Sequence, residues 1–260
     1  MHPLMSVVRV ELYKLFRSYI FWIVGGLCML IPIVASLFMY ALQHPHIAAQ
    51  MGLLGQKAQF ANEASWTAFF DVQSQMIAVG GIIAFSFITS WMFGREFVHG
   101  TVKDLLALPY SRTIVVFAKF FCTFIASFFL VFALVIIGIA CGLLLQLDSF
   151  TNVSFSSGFF RLLFVALCTI ALCLPAAFFA SFSRGYLAPF GYILFVLIFS
   201  QLIIAVGYGE YFPWALPALY SGISGTPFDY EFVHYLYIIV TSILGIVATI
   251  YYWEYADHDE

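Results

Sequence analysis

Charged residues are scarce in this sequence. Asp, Glu, Lys and Arg make up 9% of the 260 residues, against roughly 25% in a typical soluble domain. Apolar residues make up 63%, and the segments 120–147 and 162–181 contain no charged residue. Each of these segments is at least as long as the roughly 20 residues that cross a bilayer as a helix. A soluble globular domain is therefore excluded, and we expect a polytopic membrane protein.

Recognisable nucleotide, metal and nucleic-acid sites are also lacking. A phosphate-binding loop needs the pattern G-x-x-x-x-G-K-[ST], and the segment Gly52–Lys57 has the wrong spacing. His44 and His46 have no third metal-ligand candidate nearby, and the five cysteines lie in apolar runs without zinc-site spacing. The net charge of -3 gives no basic footprint for nucleic acid. We predict no catalytic residue, and no metal or cofactor bound by this chain.

The apolar runs predict six transmembrane helices, because backbone amides in lipid must be paired within their own segment. The fold class is all-α, with one membrane domain over residues 1–260. The first run is longer than the apolar part of a signal peptide, so we expect it to remain as a helix. The predicted spans are Tyr19 to Leu42, Gln75 to Phe93, Phe120 to Leu147, Gly158 to Phe182, Leu187 to Val206, and Phe232 to Trp253.

The basic residues predict the orientation, because cytoplasmic flanks hold the excess of Lys and Arg. Eight of the ten basic residues fall on the same side of the predicted spans, and only Lys57 and Arg161 fall on the other. We therefore expect both termini to be cytoplasmic, in a multi-pass protein of the plasma membrane.

Two segments outside the spans predict surface-lying structure. Residues 1–18 have helical spacing, with Val8, Leu12, Leu15, Phe16 and Tyr19 on the apolar side and Glu11, Lys14 and Arg17 on the polar side. They predict an amphipathic interfacial helix at the membrane lipid, with an ordinary charged flank as the alternative. Residues 208–230 are rich in aromatic residues, Gly and Pro, which predicts short re-entrant or interfacial external helices.

The loop of residues 94–119 between spans two and three predicts a further short helix. Thr101 followed by Asp104 has the spacing of a helix cap, and Pro109 marks an end. A structural turn whose charges only set the topology is the alternative.

The sequence resembles a known family, the ABC-2 type permeases. The resemblance is carried by Glu11-Leu-Tyr-Lys-Leu-Phe-Arg-Ser18 before span one, by Gly94-Arg-Glu96 and His99-Gly-Thr101 after span two, and by the Leu105-Leu106, Pro109 and Ser111-Arg112 that follow, with Lys119. The six-span layout extends the resemblance over nearly the whole chain.

The resemblance implies that the loop after span two is a coupling helix seated on a separate ATPase. The chain would work as two permease copies, identical or related, with two soluble P-loop ATPase subunits that hold ATP and Mg. The implied ATPase contacts are Glu96, Gly100, Thr101, Lys103, Leu105, Leu106, Pro109 and Arg112.

Similar small permeases export peptide toxins, antimicrobial peptides or drugs, and a path lined by apolar and aromatic residues suits such cargo. Gln201 is the most notable polar residue near the middle of a span, with pathway or interface contact and bonding within its own bundle as alternatives. Gly138 and Gly142 form a G-x-x-x-G pattern that we interpret only as close helix packing. Alternative functions are a membrane-embedded lipid-modifying enzyme and a secondary transporter.

Overall fold

The computed structural model describes residues 3–44, 65–102, 111–147, 152–223, 228 and 230–256. Within these ranges the chain is all-helical, with no β-strand element. The α-helices are α1 (Pro3–Phe16), α2 (Tyr19–Gln43), α3 (Trp66–Met76), α4 (Ile82–Val98), α5 (Arg112–Leu144), α6 (Asn152–Leu172), α7 (Ala176–Phe182), α8 (Leu187–Val206), α9 (Leu216–Tyr220) and α10 (Phe232–Tyr255).

Six helical segments of the described residues are long and apolar enough to cross a membrane, which confirms the predicted number. Span 1 is α2, span 3 is α5, span 5 is α8 and span 6 is α10. Span 2 comprises α3, a π-helical turn over Ile77–Gly81, and α4. Span 4 comprises α6 and α7. Large apolar side chains are exposed along α2, α5, α8 and α10, as expected of surfaces that face lipid or another subunit.

Spans 2 and 3 begin earlier than the predicted Gln75 and Phe120, because serine side chains cap their first turns. The hydroxyl of Ser65 accepts a hydrogen bond from the N–H of Ala68 at 3.3 Å. The hydroxyl of Ser111 accepts one from the N–H of Ile114 at 3.4 Å. Each bond satisfies an amide that has no partner inside its own helix. Consequently residues 66–71 and 112–119, which precede the predicted starts of these spans, are helical.

Spans 2 and 4 are both interrupted, whereas continuous helices were predicted. Span 2 contains the π-helical turn at Ile77–Gly81. Span 4 breaks between Leu172 and Ala176, where Pro175 has no N–H to donate and i→i−3 bonds, such as Leu174 N–H to the carbonyl of Ala171 at 3.3 Å, replace the α-helical pattern. The interruptions are neighbours, since the thiol of Cys173 lies 3.7 Å from the carbonyl oxygen of Ile82.

Short helices connect spans 5 and 6 and reach into the bundle. The connecting segment, Gly209–Tyr220, consists of two 3-10 turns followed by α9. The indole N–H of Trp214 donates to the carbonyl of Leu172 at 3.0 Å, and the hydroxyl of Ser200 donates to the carbonyl of Trp214 at 3.3 Å. The segment is thus bonded to spans 4 and 5. Residues 224–227 and 229 of the predicted 208–230 segment lie outside the described residues.

The G-x-x-x-G pattern of span 3 packs against span 2, which confirms its interpretation as a close-packing surface. A methyl group added at Gly142 would lie 2.5 Å from the ring of Trp66. One added at Gly138 would lie 2.8 Å from the side-chain oxygen of Gln73. Both positions require glycine, because any side chain there would clash with span 2.

Candidate functional site

Five charged side chains meet where α1, the end of α4 and the start of α5 come together. We name Glu11, Lys14, Arg95, Glu96 and Lys119 the buried ionic cluster. Four of them are 5% exposed or less, and Lys14 lies at the edge with 41% of its side chain exposed. Two carboxylates therefore face two buried cations and one half-exposed cation.

Lys119 lies at the centre of the cluster and is fully buried. Its ammonium donates to Glu11 Oε2, Glu96 Oε1 and the carbonyl oxygen of Met92, each at 3.1 Å. An ammonium has three hydrogens, so every donor of Lys119 has an acceptor. Lys119 consequently links α5 to both α1 and α4.

Arg95 makes the second connection between the two carboxylates. Its Nε donates to Glu96 Oε1 at 3.1 Å, and its Nη2 donates to Glu11 Oε2. The guanidinium lies 4.7 Å from the ring centre of Trp91, in a cation–π arrangement. Lys14 adds weaker contacts, at 3.6 Å from one oxygen of each carboxylate.

The backbone after α4 connects the cluster to the loop that follows. The N–H of Thr101 donates to the carbonyl of Glu96 at 2.9 Å, and that of Gly100 to Phe97 at 3.2 Å. This pair of bonds defines a Schellman motif, whose turning residue needs the left-handed conformation that Gly100 adopts with φ of 68°. The turn brings the Thr101 hydroxyl to 2.5 Å from Glu96 Oε2. The first residues of the loop are thereby fixed to a buried carboxylate.

The end of α4 also contacts spans 4, 5 and 6. A methyl group added at Gly94 would lie 3.0 Å from the ring of Tyr186, in the turn between α7 and α8. Burial raises the pKa of the Tyr186 phenol above its ordinary value. On another side, the ring of Phe97 lies 5.5 Å from that of Trp253, whose indole N–H donates to the hydroxyl of Ser181 at 2.9 Å. A displacement of the end of α4 would therefore act on every one of these helices.

Comparison with known proteins gives the family. The model described as ABC-2 family transporter protein matches residues 7–201, which include the whole buried ionic cluster. This chain belongs to the ABC-2 transporter family. It is also 26% identical over 194 residues to the bacitracin transport permease protein BCRB of Bacillus licheniformis, an alignment that covers 73% of this chain and 91% of that protein. The predicted family is confirmed, and the chain is an ABC transporter permease.

The structure of this ABC-2 permease brings together some of the residues predicted to contact an ATPase. Glu96, Gly100 and Thr101 lie together at the end of α4. Arg112 lies apart from them, at the start of α5, where its Nη1 donates to the carbonyls of Trp253 and Glu254 at 3.2 Å. Four further predicted residues, Lys103, Leu105, Leu106 and Pro109, lie outside the described residues. Their contact with an ATPase stays a prediction.

The prediction that Glu11, Lys14 and Arg17 form the exposed polar side of α1 is wrong for Glu11. Lys14 and Arg17 are exposed, whereas Glu11 is 1% exposed and packs into the bundle. Four residues advance a helix by about 400°, so Glu11 lies only about 40° around α1 from the buried Leu15. The position of Glu11 around the helix axis, close to Leu15, therefore indicates burial, although its charge favours exposure.

Sequence reasoning also missed the burial of Arg95 and Lys119. The predicted span 2 ends at Phe93 and the predicted span 3 begins at Phe120, whereas Arg95 and Lys119 lie inside the helices of these spans in the ABC-2 permease. Both residues fall in the predicted cytoplasmic loop of residues 94–119, because the uncharged apolar runs stop short of them. Gln201, the predicted pathway or interface residue, lies half-buried on α8.

Proposed function

We propose that this chain is the membrane subunit of an ATP-driven exporter in a bacterial plasma membrane. Two copies, identical or related, form the membrane part, and two separate P-loop ATPase subunits bind ATP and Mg. The end of the bundle that carries α1 and the buried ionic cluster faces the cytoplasm. The family membership and the excess of basic residues at this end support the proposal.

The observation that carries the proposal is the connection of the end of α4 to α1 and α5 through the buried ionic cluster. The loop after α4 contacts the ATPase, and ATP-driven movement of the ATPase displaces this loop. Because Thr101 and Gly100 are bonded to the end of α4, the displacement passes to Glu96 and through Lys119 to the other helices. Coupling of this kind requires different contacts between the loop and the ATPase in the two states.

The cargo is an amphipathic or apolar molecule, and a peptide antibiotic of the bacitracin type is the form we favour. The similarity to a bacitracin transport permease supports this class. Gln201, half-buried on α8 among exposed apolar side chains, is the polar residue that we assign to the pathway or to the interface between copies.

A secondary transporter is the second candidate, because interrupted helices like spans 2 and 4 are a feature of such proteins. Secondary transport depends on an ion gradient and needs no ATPase. The family membership favours ATP-driven export over secondary transport and over lipid modification.

Bacitracin resistance tests the proposal. The chain is expressed in a bacitracin-sensitive bacterium together with the soluble P-loop ATPase that co-purifies with it, and the control carries a Lys→Ala substitution in the P-loop of that ATPase. We expect resistance to rise several-fold with the active ATPase alone. Equal resistance with the inactive ATPase would contradict ATP-driven export, and resistance abolished by a proton ionophore at constant ATP would favour the secondary transporter. Absence of resistance in both strains would contradict the bacitracin cargo.

A further inference from the structure

The interruptions in spans 2 and 4 form one continuous seam inside the bundle. The π-helical turn Ile77–Gly81 lies against the end of α6, beside the break between α6 and α7, since a methyl group added at Gly81 would lie 3.3 Å from Thr169. The thiol of Cys173 lies 3.7 Å from the carbonyl of Ile82. In both spans the regular helical hydrogen bonding is lost at the same place, so both are weakest against bending there.

The seam lies between two pairs of closely packed helices. On one side, α3 makes its most extensive contacts with α6, and on the other, α4 makes its most extensive contacts with α7. We name α3 and α6 the far pair, and α4 and α7 the near pair, because α4 carries the buried ionic cluster.

Polar and close contacts hold each pair together. In the far pair, Arg161 Nη1 donates to Asp71 Oδ1 at 2.9 Å, and a methyl group added at Gly158 would lie 3.1 Å from Phe70. In the near pair, the turn after α7 places Tyr186 against Gly94 of α4. Each pair can therefore move as a unit.

Side chains from outside the pairs pack at the break and add to the hydrogen bonds of its carbonyls. The carbonyl of Ala171 accepts a hydrogen bond from the N–H of Leu174 at 3.3 Å, and the hydroxyl of Ser242 of span 6 lies 3.0 Å from it and 2.8 Å from the carbonyl of Ile238. The carbonyl of Leu172 accepts a hydrogen bond from Trp214. A methyl group added at Gly245 would lie 2.7 Å from the backbone of Pro175, so span 6 makes a close contact at the break. The break is thus a formed part of the fold, with its carbonyls satisfied, as irregular backbone inside a membrane requires.

From this arrangement we infer that spans 2 and 4 bend together at the seam during transport. The near pair moves with the loop after α4, and the far pair changes its angle to the near pair instead of tilting rigidly with it. Pro175 and Cys173 are positioning residues of this movement. The inference rests on the proposed ATP-driven function. It specifies the place inside the bundle at which the movement occurs.

A proline substitution tests the inference. Pro175→Ala supplies the N–H that can bond the carbonyl of Ala171 and favours a continuous span 4. The matched control is Pro32→Ala in span 1, where α2 is already continuous through its proline. We expect the P175A complex to assemble with its ATPase and hydrolyse ATP, but to lose resistance to bacitracin at least tenfold, and the P32A complex to stay near the unsubstituted protein. Full resistance with P175A would overturn the inference.

Thiol labelling provides a readout that does not depend on a folded P175A variant. In the complex with Cys173 as the only cysteine of the permease, we measure its reaction with N-ethylmaleimide with and without ATP and Mg. A several-fold faster reaction during ATP hydrolysis is expected, because bending opens the seam around this buried thiol. The control keeps only Cys122, a buried thiol of span 3 that lies 3.6 Å from the carbonyl oxygen of Val8 in α1, and its rate should not change.

Equal Cys173 rates in both conditions would overturn the inference even where the complex hydrolyses ATP. A chain that binds no ATPase would instead overturn the proposed function on which the inference rests. The two failures are therefore distinguishable in the same preparation.

Discussion

Each hydrogen of the Lys119 ammonium has an acceptor in the buried ionic cluster. A charge taken out of water loses several kcal/mol of hydration, and this cost is offset only where close partners satisfy the ion. Glu11, Glu96 and the carbonyl of Met92 do so for Lys119, each at 3.1 Å. The cluster therefore fixes the relative position of three helices, because a shift of one helix would leave a buried charge without its partner.

Substitution of Lys119 tests this account at the scale of one residue. Lys119→Met keeps the aliphatic stem and removes the cation, so that two buried carboxylates compete for Arg95 and Lys14. We expect a loss of about 3–5 kcal/mol of stability, typical of a broken buried ion pair, measured as a lower unfolding midpoint in detergent. Lys14→Met is the control, since Lys14 is 41% exposed and 3.6 Å from its partners and such pairs contribute roughly 0–1 kcal/mol. Equal losses in the two variants would contradict the central role of Lys119.

At the scale of elements, the turn after α4 depends on one glycine. Gly100 has φ of 68°, and a methyl group added there would meet no atom within 4 Å. The cost of another residue at this position is therefore one of backbone conformation alone, about 1–2 kcal/mol for a left-handed residue with a Cβ.

Gly100→Ala should lower the free energy of unfolding by about 1 kcal/mol, and Gly100→Asn should lower it less, because Asn tolerates the left-handed conformation. Gly26→Ala is the matched control, since Gly26 lies inside α2 and also has open space around it. Alanine is favoured over glycine in a helix, so we expect no loss there. Urea unfolding in detergent micelles measures all three variants, and a G100A protein as stable as G26A would contradict the assigned turn.

The number of spans could be predicted from the sequence, because uncharged apolar runs of about 20 residues or more are typical of transmembrane helices. The ends of spans 2 and 3 could not, since burial of Arg95 and Lys119 depends on Glu11, which lies 84 and 108 residues away along the chain. Proline alone did not reveal the break in span 4. Pro32 lies within a continuous helix and Pro189 in the first turn of α8, where a missing N–H costs little.

At the scale of the whole molecule, the loop after α4 is the place where an external partner can act on most of the bundle. The cluster connects α4 to α1 and α5, and the contacts of Gly94 and Phe97 connect it to Tyr186 and Trp253. Movement imposed at this end would therefore reach the helices that lead to the far end. This arrangement suits a permease that is driven by a separate subunit.

Affinity purification of the tagged chain in mild detergent tests the central claim most directly. A soluble P-loop ATPase should co-elute in about equal amount. A variant in which residues 101–109 are replaced by a Gly/Ser linker should insert in the membrane and elute without the ATPase. Elution of the unsubstituted chain alone from intact membranes would contradict the claim that this permease works with a separate ATPase, and equal co-elution with both proteins would contradict the contact assigned to the loop after α4.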